Sequence, residues 1–123
     1  FPADRAMIEA AVTACKKANP DIHVLTGLVV TGDQFISNRA TKDRLVSVFH
    51  GDCAEMEGAA VAQVAYLNNL PFVIIRAISD KADDSAGVMD FPTFEKQAAE
   101  HCAKMTAEFL RNFEPALSPT HAG

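Results

Sequence analysis

The sequence predicts a single α/β domain whose sheet is at least partly parallel. Two runs of apolar and β-branched residues, 22–31 and 71–79, have the pattern of buried strands. Neighbouring segments repeat apolar residues at helical spacing, and strands that alternate with helices are typical of parallel sheets. The length of 123 residues, 49% hydrophobic and 22% charged, fits one globular domain.

The first part of the chain predicts a helix followed by a strand. Apolar side chains recur on one side of 3–18, with Asp4 near the start, and the Asn-Pro-Asp sequence of 19–21 ends this helix. The strand 22–31 follows, and we expect most of its surface to be buried. A Gly-Asp turn then leads into the loop 34–38, which has an aromatic residue at its tip.

The middle of the chain predicts two helices with a short strand end between them. Residues 41–49 repeat apolar side chains at helical spacing, and 51–55 has the length of a strand end. The second helix is predicted over 57–69, where small residues at the start permit close packing and an apolar stripe follows.

The last part of the chain predicts the clearest strand and the longest helix. Residues 71–79 are mostly apolar and β-branched, so we expect a central strand. A polar loop rich in aspartate covers 80–90, and a helix is predicted over 91–113. We expect the tail 114–123 to be disordered.

The composition excludes several classes of partner. A net charge of −5 argues against nucleic-acid binding, which needs a basic surface. No apolar run approaches the roughly 20 residues of a membrane span. The 3 cysteines and 4 histidines are scattered, without metal-site spacing, so we expect a reducing, cytoplasmic setting and no metal. A small neutral or cationic ligand fits this charge balance.

Two acids stand where packing does not explain a carboxylate. Glu57 opens an otherwise apolar helix, and Asp80 ends an apolar strand. Ligands of open α/β sheets bind beyond the carboxyl ends of strands, so 34–38, 54–57 and Asp80 are expected at one edge. The strands that we predict are too few to bury a parallel sheet, which is the pattern of half a domain.

Three motifs carry a resemblance to a known family: Gly32-Asp33-Gln34-Phe35-Ile36, Glu55-Met56-Glu57 and Arg76-Ala77-Ile78-Ser79-Asp80. In this order and spacing they resemble the C-terminal half of the 5′-methylthioadenosine/S-adenosylhomocysteine nucleosidases, within the purine nucleoside phosphorylase superfamily. The similarity runs from about Met7 to Phe113. It implies a three-layer α/β/α fold with a mixed, largely parallel twisted sheet, of which residues 1–123 are the C-terminal half of a single nucleosidase domain.

The resemblance implies one catalytic residue, Asp80, as the general acid at the purine N7. It implies substrate-binding roles for Phe35, Ile36, Glu55, Met56, Glu57, Ser79 and Phe91. Phe35 resembles the aromatic that stacks on adenine, and the backbone of Ile36 resembles the element that bonds the purine edge. Met56 resembles the residue that lies against the ribose face. Glu57 resembles the carboxylate that accepts hydrogen bonds from the ribose hydroxyls. Ser79 lies beside Asp80, and Phe91 resembles the aromatic that closes over the nucleoside.

These roles suit the chemistry of N-glycosidic cleavage. The departing purine gains negative charge, and general acid catalysis of the kind expected from Asp80 contributes roughly 10²–10⁴-fold. Such an acid needs a raised pKa to donate near neutral pH. The sugar gains positive charge, which a carboxylate such as Glu57 stabilises. The implied reaction is hydrolysis of methylthioadenosine, S-adenosylhomocysteine and 5′-deoxyadenosine to adenine, with no cofactor.

Alternatives remain open at this stage. Glu57 could be an acid favoured near a helix N-terminus, Asp80 a helix cap or solvated loop acid, and Phe91 a packing residue. Two further functions also fit: phosphorolysis, and non-catalytic binding of an adenine nucleoside. Phosphate needs several cationic or amide donors, and only Arg76 is a candidate buried cation in this chain.

The resemblance covers only part of the family's chain, which is about twice as long. The other half is implied to supply further strands, the glutamate that activates water, and most of a homodimer contact. No residue here corresponds to that base, so we expect the isolated chain to have negligible hydrolase activity. The start at Phe1 and the missing strands favour a fragment of a longer nucleosidase.

Overall fold

The computed structural model describes residues 1–32, 39–78 and 91–113. Four helices and two strands follow in the order α1 (Arg5–Ala18), β1 (Val29–Thr31), α2 (Arg39–Phe49), β2 (Cys53–Glu55), α3 (Gly58–Leu67) and α4 (Phe91–Asn112) among these residues. Helices alternate with strands that pair in parallel, which confirms the predicted α/β class.

The parallel pair β1–β2 creates the edge that matters for the site. Its register matches Val29 with Cys53 and Thr31 with Glu55. The backbone N–H of Gly32 donates to the carbonyl of Glu55 at 3.1 Å, which continues the pairing by one residue. Both strands therefore end at the same level, and the segment after each strand starts from one edge.

The helices α1 and α4 pack against each other through a small buried surface. Asp4 caps α1 by accepting a 2.8 Å hydrogen bond from the backbone N–H of Met7. The side chains of Ala14 and Met105 are buried. Beyond the end of α1, the buried Asn19 amide donates to the His101 carbonyl at 2.9 Å. These contacts tie the last described helix to the first.

An ion pair adds to the α1–α4 contact. Lys17 Nζ lies 2.8 Å from Glu108 Oε1. The hydrogen bond from Lys17 is the main reason that the pKa of Glu108 lies below its usual range, although partial burial opposes it and Asn112 adds a further bond. The pair is consistent with close packing of the two helices, and a pair this close to solvent contributes little to stability.

The helix α3 packs on the segment that follows it. Ala62, Ala65 and Phe72 form a buried cluster, and Ala3 and Ile74 cover part of it. The carbonyl of Phe72 accepts a 2.8 Å hydrogen bond from the backbone N–H of Asp4. Of the small residues that predicted close packing of α3, Ala62 lies in this cluster and Gly58 is buried, whereas Ala59 and Ala60 are exposed.

The predicted helices are confirmed with shifts at their ends, but both long strand predictions are wrong in extent. Of 22–31, only Val29–Thr31 is a strand, and the Leu25 side chain before it is 89% exposed. Residues 71–78 carry no regular secondary structure, although a central strand was predicted over 71–79. A strand exists only where a neighbouring backbone completes its hydrogen bonds. Because β2 is 3 residues long, it pairs with only the end of the first predicted strand.

A broad apolar surface remains exposed on α3 and the segment after it. The exposed large apolar residues there are Val61, Val64, Tyr66, Leu67, Leu70, Ile75 and Ile78. Large exposed apolar patches are uncommon on monomeric proteins, and they usually mark surfaces that contact another molecule or segment. Across the described residues, no helix combines the length and the apolar composition that crossing a bilayer requires.

Candidate functional site

The candidate site lies where β2 ends and α3 begins. Glu55 is the last residue of β2, and Gly58 is the first residue of α3, so Met56 and Glu57 form the connection. The backbone of Glu57 has φ −122° and ψ −23°, and its side chain makes no capping hydrogen bond. The carboxylate of Glu57 is therefore free of the capping role that a helix N-terminus usually gives an acid.

Glu55 satisfies the helix N-terminus instead. Its side chain is 3% exposed. Oε2 accepts from the backbone N–H of Glu57 at 2.9 Å, and the N–H of Gly58 lies 2.9 Å from Oε1 and 2.7 Å from Oε2. A buried carboxylate at this place compensates the positive end of the helix dipole.

Thr31 connects this carboxylate to β1. Its hydroxyl donates to Glu55 Oε1, and the hydroxyl oxygen, Thr31 Oγ1, accepts a hydrogen bond from the backbone N–H of Ala59 at 2.9 Å. One hydroxyl thus joins β1, β2 and the first turn of α3. A side chain at the next point of contact would crowd this carboxylate, because a Cβ at Gly58 would lie 2.6 Å from Glu55 Oε1.

The electrostatics of Glu55 follow from these contacts. Burial raises the pKa of its carboxyl, but hydrogen bonds from Thr31, Glu57 and Gly58, together with the charge of Arg76, outweigh burial and leave the pKa below its usual value. Glu55 is therefore ionised at neutral pH. It holds a fixed negative charge beneath the connection.

Glu57 faces solvent at the same edge. Its side chain is 69% exposed, and Arg76 Nη2 lies 3.1 Å from Glu57 Oε2. The same nitrogen lies 3.6 Å from Glu55 Oε2, so the guanidinium is placed between the two carboxylates. Arg76 was the candidate for a buried cation, but its side chain is 42% exposed. Met56, 43% exposed, lies on the same connection.

Cys53, on β2, is not a second reactive group at this edge. Burial raises the pKa of its thiol, nearby Arg76 opposes the rise, and Glu55 adds to it. The thiol therefore stays protonated and weakly nucleophilic near neutral pH. In the described ranges, no 3 His, Cys, Asp or Glu side chains converge as a metal ion would need.

The structure places only part of the predicted site. It brings together Glu55, Met56 and Glu57, with Arg76 beside them. Phe35, Ile36, Ser79 and Asp80 lie outside the described residues, as does the tail 114–123. Phe91 is the first residue of α4, but its side chain is not described. The assignments to these residues stay predictions.

Sequence reasoning missed two residues of this site. Thr31 and Gly58 both contact the Glu55 carboxylate. Thr31 was given no role, and Gly58 was expected only to permit close packing of the helix. A threonine that ends one strand, and a glycine directly after the acid-rich connection from the next strand, are the signals available in the sequence. Neither signal predicts the orientation of the Glu55 carboxylate, which lies three residues before the start of α3.

Chemically, the site offers a solvent-facing carboxylate in a fixed position. The Glu57 side chain lies beside the Arg76 guanidinium, which also faces solvent, and a carboxylate accepts hydrogen bonds from two neighbouring hydroxyls. Such a group binds polyhydroxylated ligands or stabilises a developing positive charge. The site does not offer a nucleophile within the described residues.

Comparison with known protein families gives one match over most of the chain. The family model described as the phosphorylase superfamily matches residues 1–111. This match agrees with the parallel strand pair and with a ligand site at its carboxyl edge.

Two similar curated relatives are named as nucleosidases. The 5′-methylthioadenosine/S-adenosylhomocysteine nucleosidase of Geobacillus kaustophilus is 40% identical over 111 residues, which cover 89% of this chain and 46% of the relative. The enzyme of the same name from Bacillus cereus (strain B4264) is 39% identical over 118 residues, covering 93% and 49%. The chain thus spans about half the length of the curated relatives it matches.

A solved structure is similar over the same extent. The crystal structure of the Campylobacter jejuni 5′-methylthioadenosine/S-adenosylhomocysteine nucleosidase superposes with a TM-score of 0.82 at 31% sequence identity. The alignment covers 92% of this chain and 48% of that chain. The described elements therefore take the same arrangement as one half of that protein.

Proposed function

This chain belongs to the phosphorylase superfamily, and we propose that it forms one half of a nucleosidase. The reaction is hydrolysis of the N-glycosidic bond of 5′-methylthioadenosine and S-adenosylhomocysteine, and of 5′-deoxyadenosine, which releases adenine and the sugar. We call this chain together with the remaining half that its relatives possess the assembled domain. All activity is proposed for the assembled domain.

One observation carries the proposal: the Glu57 carboxylate is exposed at the carboxyl edge of the β1–β2 pair and is held by Arg76 at 3.1 Å. The 2′- and 3′-hydroxyls of a ribose are two adjacent hydrogen-bond donors, and one carboxylate can accept a hydrogen bond from each of them. The same negative charge stabilises the positive sugar in an oxocarbenium-like transition state. The names of the relatives supply the adenine nucleoside class.

The remaining roles complete the mechanism. Asp80 donates a proton to the purine N7 as the bond breaks, with Ser79 beside it. Phe35 stacks on adenine, the backbone of Ile36 bonds the purine edge, and Met56 packs against the ribose. Phe91 closes over the nucleoside. The attacking water is activated by a base that lies outside this chain, and no cofactor takes part.

The position of Arg76 favours hydrolysis over phosphorolysis. Phosphate binding needs several cationic or amide donors. The Arg76 guanidinium is engaged by Glu57 at 3.1 Å and lies 3.6 Å from Glu55, so its charge is already compensated by two carboxylates. Adenine release measured with and without added phosphate separates the two reactions, and we expect the rates to be equal.

The exposed apolar surface supports a partner that completes the domain. Val61, Val64 and Leu67 line one side of α3 and are 55%, 60% and 69% exposed. In a soluble protein a contiguous surface of this kind is normally covered. We assign it to packing against the remaining half of the same domain. The homodimer that the resemblance implies is part of the same proposal, and light scattering of the purified assembled domain tests it.

The location of the protein belongs to the same proposal. Cys15, Cys53 and Cys102 are all unbridged in the described residues. Free thiols suit a reducing compartment, so we place the protein in the cytoplasm. Fractionation of the source cells tests this placement.

The activity is tested by measuring adenine release from methylthioadenosine. We expect turnover by the assembled domain and none by residues 1–123 alone, because we propose that the base belongs to the remaining half. Asp80→Asn in the assembled domain should abolish turnover while binding of a non-cleavable adenosine analogue changes far less. Near-normal turnover of this variant would remove Asp80 from its role. Tight binding without turnover by the unaltered assembled domain would instead favour a non-catalytic nucleoside binder.

A further inference from the structure

The Glu55 carboxylate has no hydrogen-bonding capacity left for a ligand. A carboxylate offers about four acceptor positions. The Thr31 hydroxyl, the backbone N–H of Glu57 and the bifurcated N–H of Gly58 occupy them, and Arg76 lies 3.6 Å from Oε2. The side chain is 3% exposed, so a nucleoside hydroxyl could reach it only by displacing one of these donors.

Two of the partners of Glu55 also hold Glu57. The bond from the backbone N–H of Glu57 fixes the connection from which the Glu57 side chain extends. The Arg76 nitrogen between the carboxylates is 3.6 Å from Glu55 and 3.1 Å from Glu57. The Glu55 charge therefore keeps the guanidinium where it holds the Glu57 carboxylate. Without that cation, two adjacent acids would repel each other.

We propose that Glu55 is a positioning residue, which holds the Glu57 carboxylate in register with the ribose hydroxyls and does not contact the nucleoside itself. The expectation that Glu55 binds substrate is replaced by this role. Thr31 belongs to the same device, because its hydroxyl links Glu55 to the N–H of Ala59 in the first turn of α3. This inference rests on the proposed role of Glu57 toward the sugar.

A binding experiment with three probes tests the inference on the assembled domain. The probes are a C-nucleoside analogue of adenosine, whose carbon–carbon glycosidic bond resists hydrolysis, its 2′,3′-dideoxy counterpart, and adenine. Calorimetry gives the preference for the hydroxylated analogue over the dideoxy analogue. In Glu55→Gln we expect this preference to fall roughly tenfold, the worth of one hydrogen bond to a charged group, with adenine affinity unchanged.

A double-mutant cycle separates positioning from direct contact. If Glu55 acts only through Glu57, Glu55→Gln has no further effect on the preference in a Glu57→Gln background. Additive losses would mean that Glu55 touches the ribose, and equal weakening of all three probes would mean a merely structural role. Either result overturns the inference, as would an unchanged preference in Glu55→Gln.

Thr31 supplies a second, milder pair of variants in case Glu55→Gln does not fold. Thr31→Val keeps the shape and removes the hydroxyl, whereas Thr31→Ser keeps the hydroxyl. We expect Thr31→Val to lower the preference severalfold and Thr31→Ser to retain it; equal behaviour of the two overturns the inference. The unaltered assembled domain reports on the proposed function separately. If it does not prefer the hydroxylated analogue, the proposed role of Glu57 fails, whatever Glu55 does.

Discussion

A single added methyl group at Gly58 tests the geometry around Glu55. In Gly58→Ala, the new Cβ would lie 2.6 Å from Glu55 Oε1 and 3.0 Å from its carboxyl carbon. Contacts below 3.0 Å are relieved only by movement. Glu55 cannot turn away without giving up its bonds to the Thr31 hydroxyl and to the N–H groups of Glu57 and Gly58.

The magnitude follows from the bonds at risk. A hydrogen bond to a charged group contributes about 1.5–3 kcal/mol, so losing the two backbone donors costs about 3–6 kcal/mol. Alanine is better than glycine within a helix by roughly 0.5–1 kcal/mol, which offsets part of the loss. We therefore expect Gly58→Ala to lower the free energy of unfolding by about 2–5 kcal/mol.

The assay is urea unfolding of the assembled domain, monitored by circular dichroism. The free energies of unfolding are compared between variants that have the same dependence on urea concentration (the same m-value). Gly32→Ala is the matched control, because a Cβ there meets no atom of the described residues within 4 Å, and the Gly32 N–H that donates to the Glu55 carbonyl is kept. We expect this control to change stability by less than about 1 kcal/mol, as for a strain-free glycine replacement. A loss in Gly58→Ala no larger than that of the control would refute the reasoning.

Three further predictions address the rest of the structure. Asn19→Ala removes the buried 2.9 Å bond to the His101 carbonyl and should lower the free energy of unfolding by about 1 kcal/mol; an unchanged urea midpoint would contradict this. Because the folded pKa of Glu55 is lowered, its contribution is complete above the unfolded value of about 4.3 and is lost as pH falls through the folded pKa. The acid sensitivity of unfolding should therefore be smaller in Glu55→Gln, and an equal slope against pH would count against this contribution. Because burial raises the pKa of Cys53, its alkylation by iodoacetamide, followed by peptide mass spectrometry, should keep rising above about pH 8.5; a plateau below pH 8 would contradict a raised pKa.

The helices of this chain were predictable because their signals are local. Asp4 does cap α1, and the apolar spacing of 91–113 does end in a helix at Asn112. Capping and helical periodicity act between residues a few positions apart, so one segment carries enough information.

The strand 71–79 was not predictable in the same way. Its apolar, β-branched composition favours an extended chain, but a ladder needs a neighbouring strand that composition cannot supply. Among the described residues, the backbone contact of this segment is the Phe72 carbonyl, which accepts from Asp4 at the cap of α1.

The candidate site, like the fold, was predictable only in part. The motif Glu55-Met56-Glu57 indicated a ligand site at a strand end, and the structure places it at the end of β2. The different duties of the two acids were not visible, because they depend on burial: Glu55 is 3% exposed and bonds the helix, whereas Glu57 is 69% exposed. The Thr31 hydroxyl bonds Glu55 across 24 positions of sequence, a distance that no local pattern spans.

A crystal structure of the assembled domain with a bound, non-cleavable adenine nucleoside tests the central claim most directly. We predict that the Glu57 carboxylate accepts hydrogen bonds of about 2.5–3.0 Å from the sugar hydroxyls, with Asp80 at the purine N7 and Glu55 still beneath the connection. A nucleoside whose hydroxyls face away from Glu57, or whose base lies away from Asp80, would contradict the account.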